Sequence, residues 1–149
     1  MHISVRLHKG IVFIPTAYRV TRDGFFVTDA PLESVPVEQT ERLRQAVLSA
    51  IERGNPPISR DEARVRLNSK DDPLLQATGA QSWFALDRQT KGIWNLIEKN
   101  GIYEIRVGQP METHGWHDDK SKRFRFPPGT PVDDVIDRLI AMIQACAQR

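Results

Sequence analysis

Cys146 is the sole cysteine in this 149-residue chain. An internal disulfide is therefore excluded, and the usage fits a reducing compartment. No run approaches the roughly 20 apolar residues that a membrane-spanning helix needs. Met1-His2-Ile3-Ser4-Val5-Arg6 alternates instead of presenting the apolar core of a signal peptide, so the expectation is a cytosolic protein. Long Lys/Arg blocks are absent and the formal net charge is +2, which neither demands nor excludes nucleic acid. With 9 Gly and 10 Pro, the chain has too few of either to suggest disorder or a fibrous repeat. No G-x-S-x-G, P-loop or G-x-G-x-x-G motif occurs, so those routes to acyl transfer, nucleotide hydrolysis and dinucleotide binding have no local signature. What remains is 40% hydrophobic and 27% charged, a balance that lets one domain of this length bury its own core.

The clearest structural signal is Asn100-Gly101 between two apolar runs. A type I′ turn needs φ > 0 at both central residues, and Asn-Gly supplies it. The register follows: Lys99 opposite Ile102, Glu98 opposite Tyr103, Leu96 opposite Ile105, Trp94 opposite Val107. Alternation then puts Trp94, Leu96, Tyr103, Ile105 and Val107 on one face, and Asn95, Ile97, Glu104 and Arg106 on the other. Upstream, Ile3, Val5 and Leu7 alternate with Ser4, Arg6 and His8, leaving His2 and His8 on the polar side of a half-buried strand. Lys9-Gly10 is a second turn. Ile11 to Ile14 reads as a strand stopped by Pro15, which cannot donate to a ladder. Asp23-Gly24 predicts a hairpin pairing Val20 with Val27 and Arg22 with Phe25. The first 28 residues thus read as four strands, and Asp29 to Pro36, with two prolines, as a connector.

A helix is expected over Val37 to Arg53, with Leu43, Ala46, Val47, Ala50 and Ile51 on one stripe and Gly54-Asn55-Pro56-Pro57 ending it. Glu38 and Glu41 suit its positive end and Arg53 its negative end. Ala63, Val65 and Leu67 alternate with polar residues and suggest a short strand. Asp72-Pro73 opens a helical turn stopped by Gly79, and Ser82 can cap a short helix from Trp83 to Gln89, with a strand as the alternative there. Pro110 to Ser121 reads as a polar loop, and Lys122 to Phe126 as a strand. Thr130 as N-cap and Pro131 at the first helical position open a C-terminal helix to about Ala147. Its apolar stripe runs Val132, Val135, Ile136, Leu139, Ile140, Ile143 and Cys146, and should pack across the Trp94 and Ile105 face. The expected architecture is one α+β domain over residues 1–149: a mainly antiparallel sheet of about six or seven strands with two main helices packed on it.

Chemistry-bearing residues concentrate in His114-Gly115-Trp116-His117-Asp118-Asp119-Lys120. Two imidazoles and a carboxylate can hold a transition metal, so His114, His117 and Asp118 define a metal-dependent hydrolase or nuclease reading. Their spacing matches no established ligand motif and no Cys partner exists, which favours a solvated polar loop. Arg123-Phe124-Arg125-Phe126, after Lys120 and Lys122, can stack bases and neutralise phosphates in a single-stranded nucleic-acid module. A strand turning Phe inward and Arg outward reads the same. Trp116, a large aromatic in a polar stretch, is either folded back onto the domain or held out for a partner, since Trp, Tyr and Arg are enriched at interface hot spots. The outer face of the N-terminal strands, with Phe13, Phe26, Arg6 and Arg19, either meets a partner or holds a second core under a helix.

Four segments carry a family resemblance: Gly10-Ile11-Val12-Phe13-Ile14-Pro15-Thr16, Gly79-Ala80-Gln81-Ser82-Trp83, Ile93 to Gly101, and Phe126-Pro127-Pro128-Gly129-Thr130-Pro131-Val132-Asp133-Asp134-Val135-Ile136. In that order and spacing the chain resembles small proteobacterial immunity proteins of contact-dependent growth inhibition and related polymorphic toxin systems. The resemblance implies a non-enzymatic partner for the toxic C-terminal domain of a cognate toxin, blocking its active site by occlusion, with no cofactor. These segments mark fold positions and assign no site residue. The expected toxin-binding surface is therefore the loop around Trp116: Glu112, His114, Trp116, His117, Asp118 and Asp119. A slightly basic chain weighs against a partner with a basic, nucleic-acid-cleaving cleft, although Glu112, Asp118 and Asp119 form a local acidic patch.

Overall fold

Two tight turns set the frame in a computed structural model that describes residues 1–112 and 115–149. Asn100 and Gly101 both take the left-handed conformation (φ 54° and 77°), as a type I′ turn requires. They join β5 (Thr90–Lys99) to β6 (Ile102–Pro110) in the expected register, from Lys99 opposite Ile102 to Trp94 opposite Val107. Lys9 and Gly10 (φ 49° and 77°) do the same for β1 (His2–His8) and β2 (Ile11–Val20).

The other elements are β3 (Phe26–Pro36), α1 (Thr40–Arg53), β4 (Pro57–Ile58), α2 (Arg60–Leu67), α3 (Pro73–Thr78), α4 (Trp83–Gln89), β7 (Trp116–Arg125) and α5 (Val132–Gln148). They build an α+β domain around one seven-stranded sheet, ordered β3-β2-β1-β5-β6-β7. Every pairing is antiparallel except that of the two-residue β4, which runs parallel to β2. Asn55, just before β4, ties it in: its side chain accepts from the His2 N–H at 2.8 Å and donates to the carbonyls of His2 (2.7 Å) and Ala17 (2.8 Å).

Helices α1 and α5 bury one face of the sheet. Leu43 and Val47 of α1 and Val135, Ile136, Leu139 and Ile143 of α5 join Val5, Leu7, Val12, Ile14, Trp94, Leu96 and Ile105 in one core. Each large apolar side chain so buried contributes roughly 1.5–3 kcal/mol. Arg44 pairs with Asp137 between the two helices, and Gln144 donates to the Val37 carbonyl at 3.1 Å and to Thr40 at 2.9 Å. A second core holds Phe13 beneath Leu74 of α3 and Leu86 of α4, the covered reading of that phenylalanine. Phe26 stacks on His2, ring centroids 4.5 Å apart. Among the described residues, no helix is long and apolar enough to cross a membrane.

Several local expectations are corrected. Strand β2 runs through Pro15; the ladder absorbs the proline with a register break between Pro15 and Thr16 that leaves Ala30 and Pro31 of β3 unmatched. The segment 29–36 is strand, not connector, so three strands replace the expected four. The β2–β3 turn is wider than Asp23-Gly24, with Tyr18 opposite Val27 and Val20 donating to the Phe25 carbonyl at 3.0 Å. Arg22 and Gly24 are both left-handed there, and Asp23 pairs with Arg60 of α2. Val37 donates to the Gly10 carbonyl at 2.9 Å, holding it out of α1.

Residues 63–67 are helical. Ser59 caps α2 by accepting from the Glu62 N–H, and only Ala63 is buried, leaving Val65 72% and Leu67 65% exposed. Thr130 donates to the Pro127 carbonyl instead of capping α5, whose N-cap is Pro131. His8 is buried, not on a polar surface. The segment 116–121, expected as loop, belongs to β7.

Candidate functional site

Strand β7 is an edge of the sheet, and its sequence bends it. Arg123 to Arg125 pair with residues 104–106 of β6, and Trp116 to Asp118 pair with residues 108–110. Between these runs the register breaks, leaving residues 119–122 of β7 against Val107 alone, an enlarged bulge with several extra residues. Asp119 organises it. Its carboxylate accepts from the Ser121 hydroxyl (2.6 Å) and N–H (3.0 Å) and stands 3.5 Å from the Lys122 ammonium. Those hydrogen bonds, the hydroxyl first, hold the Asp119 carboxyl below its ordinary value.

Asp118 turns toward the polar face. It accepts from Asn95 at 3.3 Å and pairs with Arg106 at 3.4 Å, while Arg106 also meets Glu104 at 2.5 Å. The Arg106 guanidinium is accordingly held above its usual range, chiefly by the Glu104 hydrogen bond. His117 is exposed, while the Asp118 carboxylate beside it is already engaged by Asn95 and Arg106. His114 lies outside the described residues. Among the described residues, no three His, Cys, Asp or Glu side chains converge into a metal-binding group.

Trp116 is folded back against the sheet. Its ring packs where Gly108 leaves room; a Cβ on Gly108 would lie 3.2 Å from Trp116 Cε3. The indole Nε1 is buried and has no acceptor among the described residues. Trp116 forms a wall between two depressions. One is a polar cleft of about 340 Å³, shared with His117, Asp118 and the Arg6–Asp87 ion pair (2.9 Å). The other is a groove of about 890 Å³ between α4, the end of α5 and the β7 bulge.

Among the described members of the predicted toxin-binding set, Glu112 and Trp116 line the groove, with His117 and Asp118 across the wall and Asp119 in the bulge. Lys122, Arg123 and Phe124, from the predicted base-stacking strand, line the groove too. Phe126 is buried in the main core, Arg138 lies over the Phe124 ring at 4.6 Å, and the Phe124 and Phe126 rings meet edge to face at 4.8 Å. Sequence reasoning missed the opposite wall: Phe84 and Arg88 of α4, Lys91 of β5, and Met142 and Arg149 at the end of the chain. These residues are remote in sequence. The one local signal was Gly92-Ile93-Trp94, in which glycine clears the same-face neighbour of a tryptophan.

No family model and no curated protein matches this chain. Among solved structures it is similar to the "Protein of Unknown Function NMB0488 from Neisseria meningitidis", with a TM-score of 0.67 and 13% identity over 96% of this chain and 92% of that one. The likeness covers nearly the full length of both chains, and at that identity what it shows is a shared fold.

Proposed function

We propose that this chain is an immunity protein that binds and neutralises the toxic C-terminal domain of a cognate contact-dependent growth inhibition toxin. The observation that carries the reading is a gathering of exposed apolar side chains on one surface. Phe84, Met111 and Phe124, all at least 37% exposed, line the groove beside Trp116. Grouped apolar side chains with cationic neighbours are the composition of a protein-binding hot spot. The four-segment sequence resemblance supplies the biological context.

The mechanism is occlusion. A sheet edge backed by two long helices offers a rigid surface that covers a toxin's active site and performs no chemistry itself. It acts in the cytosol of the cell that makes it. The test is co-expression with the toxin-like domain encoded beside it. The wild-type chain is expected to restore growth, and the double truncation Phe84→Ala with Met111→Ala, which removes two exposed groove side chains, to weaken binding by about 2 kcal/mol or more. Growth arrest in the presence of well-folded wild-type chain would refute the reading.

A further inference from the structure

We infer that the groove between α4, α5 and β7 docks an acidic segment of a partner protein that carries one large apolar side chain among its carboxylates. The inference rests on the immunity reading for the partner's identity, and on the groove's own composition for its chemistry. The lining mixes apolar and cationic groups. Val107 and Met142 supply apolar surface, and the Trp94 ring lies over Gly92, where an added Cβ would come within 2.4 Å of Trp94 Cη2.

Around that surface stand Arg88, Lys91, Arg123 and Arg149, none of them ion-paired to a carboxylate of the described residues. Asp87 is already engaged by Arg6, which leaves Glu112 as the uncommitted acid of the described lining. Charge complementarity therefore selects an anionic occupant.

A protein segment fits better than single-stranded nucleic acid. Stacking needs open aromatic faces. The Phe124 ring already carries Arg138, and Arg88 lies 5.5 Å from the Phe84 ring centroid. The aliphatic and thioether lining instead suits a single apolar anchor.

The probe is a short fluorescein-labelled peptide with one tryptophan flanked by glutamates, titrated against the full chain by anisotropy. A lysine-for-glutamate peptide and an oligothymidylate are titrated in parallel. Saturable binding is expected for the glutamate peptide alone, falling as salt shortens the screening length. The double charge reversal Arg123→Glu with Arg149→Glu should weaken it about tenfold or more, the scale of lost charge-assisted contacts. Thermal melts establish that the variant is folded.

No saturation by about millimolar peptide, equal binding of the lysine peptide, or preferential binding of the oligothymidylate would overturn the inference. The toxin assay separates the two proposals. Full protection by the double charge-reversal variant would remove the groove as the docking site and leave the immunity reading intact. Peptide binding by a chain that ignores the toxin domain would uphold the groove's chemistry and sink the immunity reading.

Discussion

His8 is 2% exposed, and neither ring nitrogen has a partner among the described residues. Burial, with Lys9 and Arg6 nearby, lowers its pKa from the ordinary 6.5. The neutral ring is thus the form that folding favours. Above pH 6.5 the folded and unfolded states are both neutral at this residue. Below it the unfolded chain takes up a proton that the folded chain resists, so stability is lost as the pH falls toward and through the folded-state value. His2 shifts in the same direction, again mainly by burial, so wild type alone does not isolate the effect. The difference between wild type and His8→Leu does. Melting temperatures from about pH 7.5 to 5 should fall less steeply for the variant, and parallel curves would contradict this assignment. Gly92 gives a second test. Trp94 is 3% exposed and occupies the space a Gly92 side chain would need. Gly92→Ala should cost about 1–3 kcal/mol, the usual penalty for overpacking. Calorimetry should then show a melting temperature lower by about 2–4 °C for each kcal/mol in a chain of this size.

Among the elements, the short helices α3 and α4 matter beyond their length because they roof Phe13. Asp72 caps α3, its Oδ1 accepting from Leu74 N–H at 2.8 Å and Leu75 N–H at 3.2 Å. Asp72→Ala should cost about 1 kcal/mol. Hydrogen exchange should show the loss as faster exchange in α3, with the β5–β6 ladder unaffected; uniform acceleration would mean that α3 opens only with the whole domain. This cap was legible in the sequence, as were Ser82, Gly79 and the Asn100-Gly101 turn, because each is settled by one residue's backbone chemistry. The α5 stripe was legible because its period is carried by seven residues. The failures share a different cause. Ala63, Val65 and Leu67 alternate like a strand, yet the Ser59 cap and an Arg66–Asp29 ion pair hold them in a helix with two of the three exposed. Polar 116–121 looks like loop because an edge strand can be wet on both sides, and a bulge interrupts its alternation. The β2–β3 turn took its width from Asp23 bonding to a helix 37 positions away.

At the scale of the whole molecule, the sheet separates support from surface. One face carries the two long helices and most of the core, the other the short helices and a polar network running from Asn95 through Asp118 and Arg106 to Glu104. The groove lies where α4, the end of α5 and β7 converge, and Lys91 Nζ ties that corner together by donating to the Ala147 carbonyl at 2.9 Å. Half of this site was visible beforehand in Trp116, Glu112 and the basic strand after them. The other half comes from elements that only folding brings together. A net charge of +2 leaves long-range attraction weak, so the proposed docking rests on local complementarity at this corner. The decisive measurement is calorimetric titration of the chain with the C-terminal toxin-like domain encoded beside it, paired with an assay of that domain's activity. The account predicts association at about nanomolar Kd with loss of toxic activity. Absence of binding at about micromolar concentrations, or tight binding that leaves the domain fully active, would contradict it.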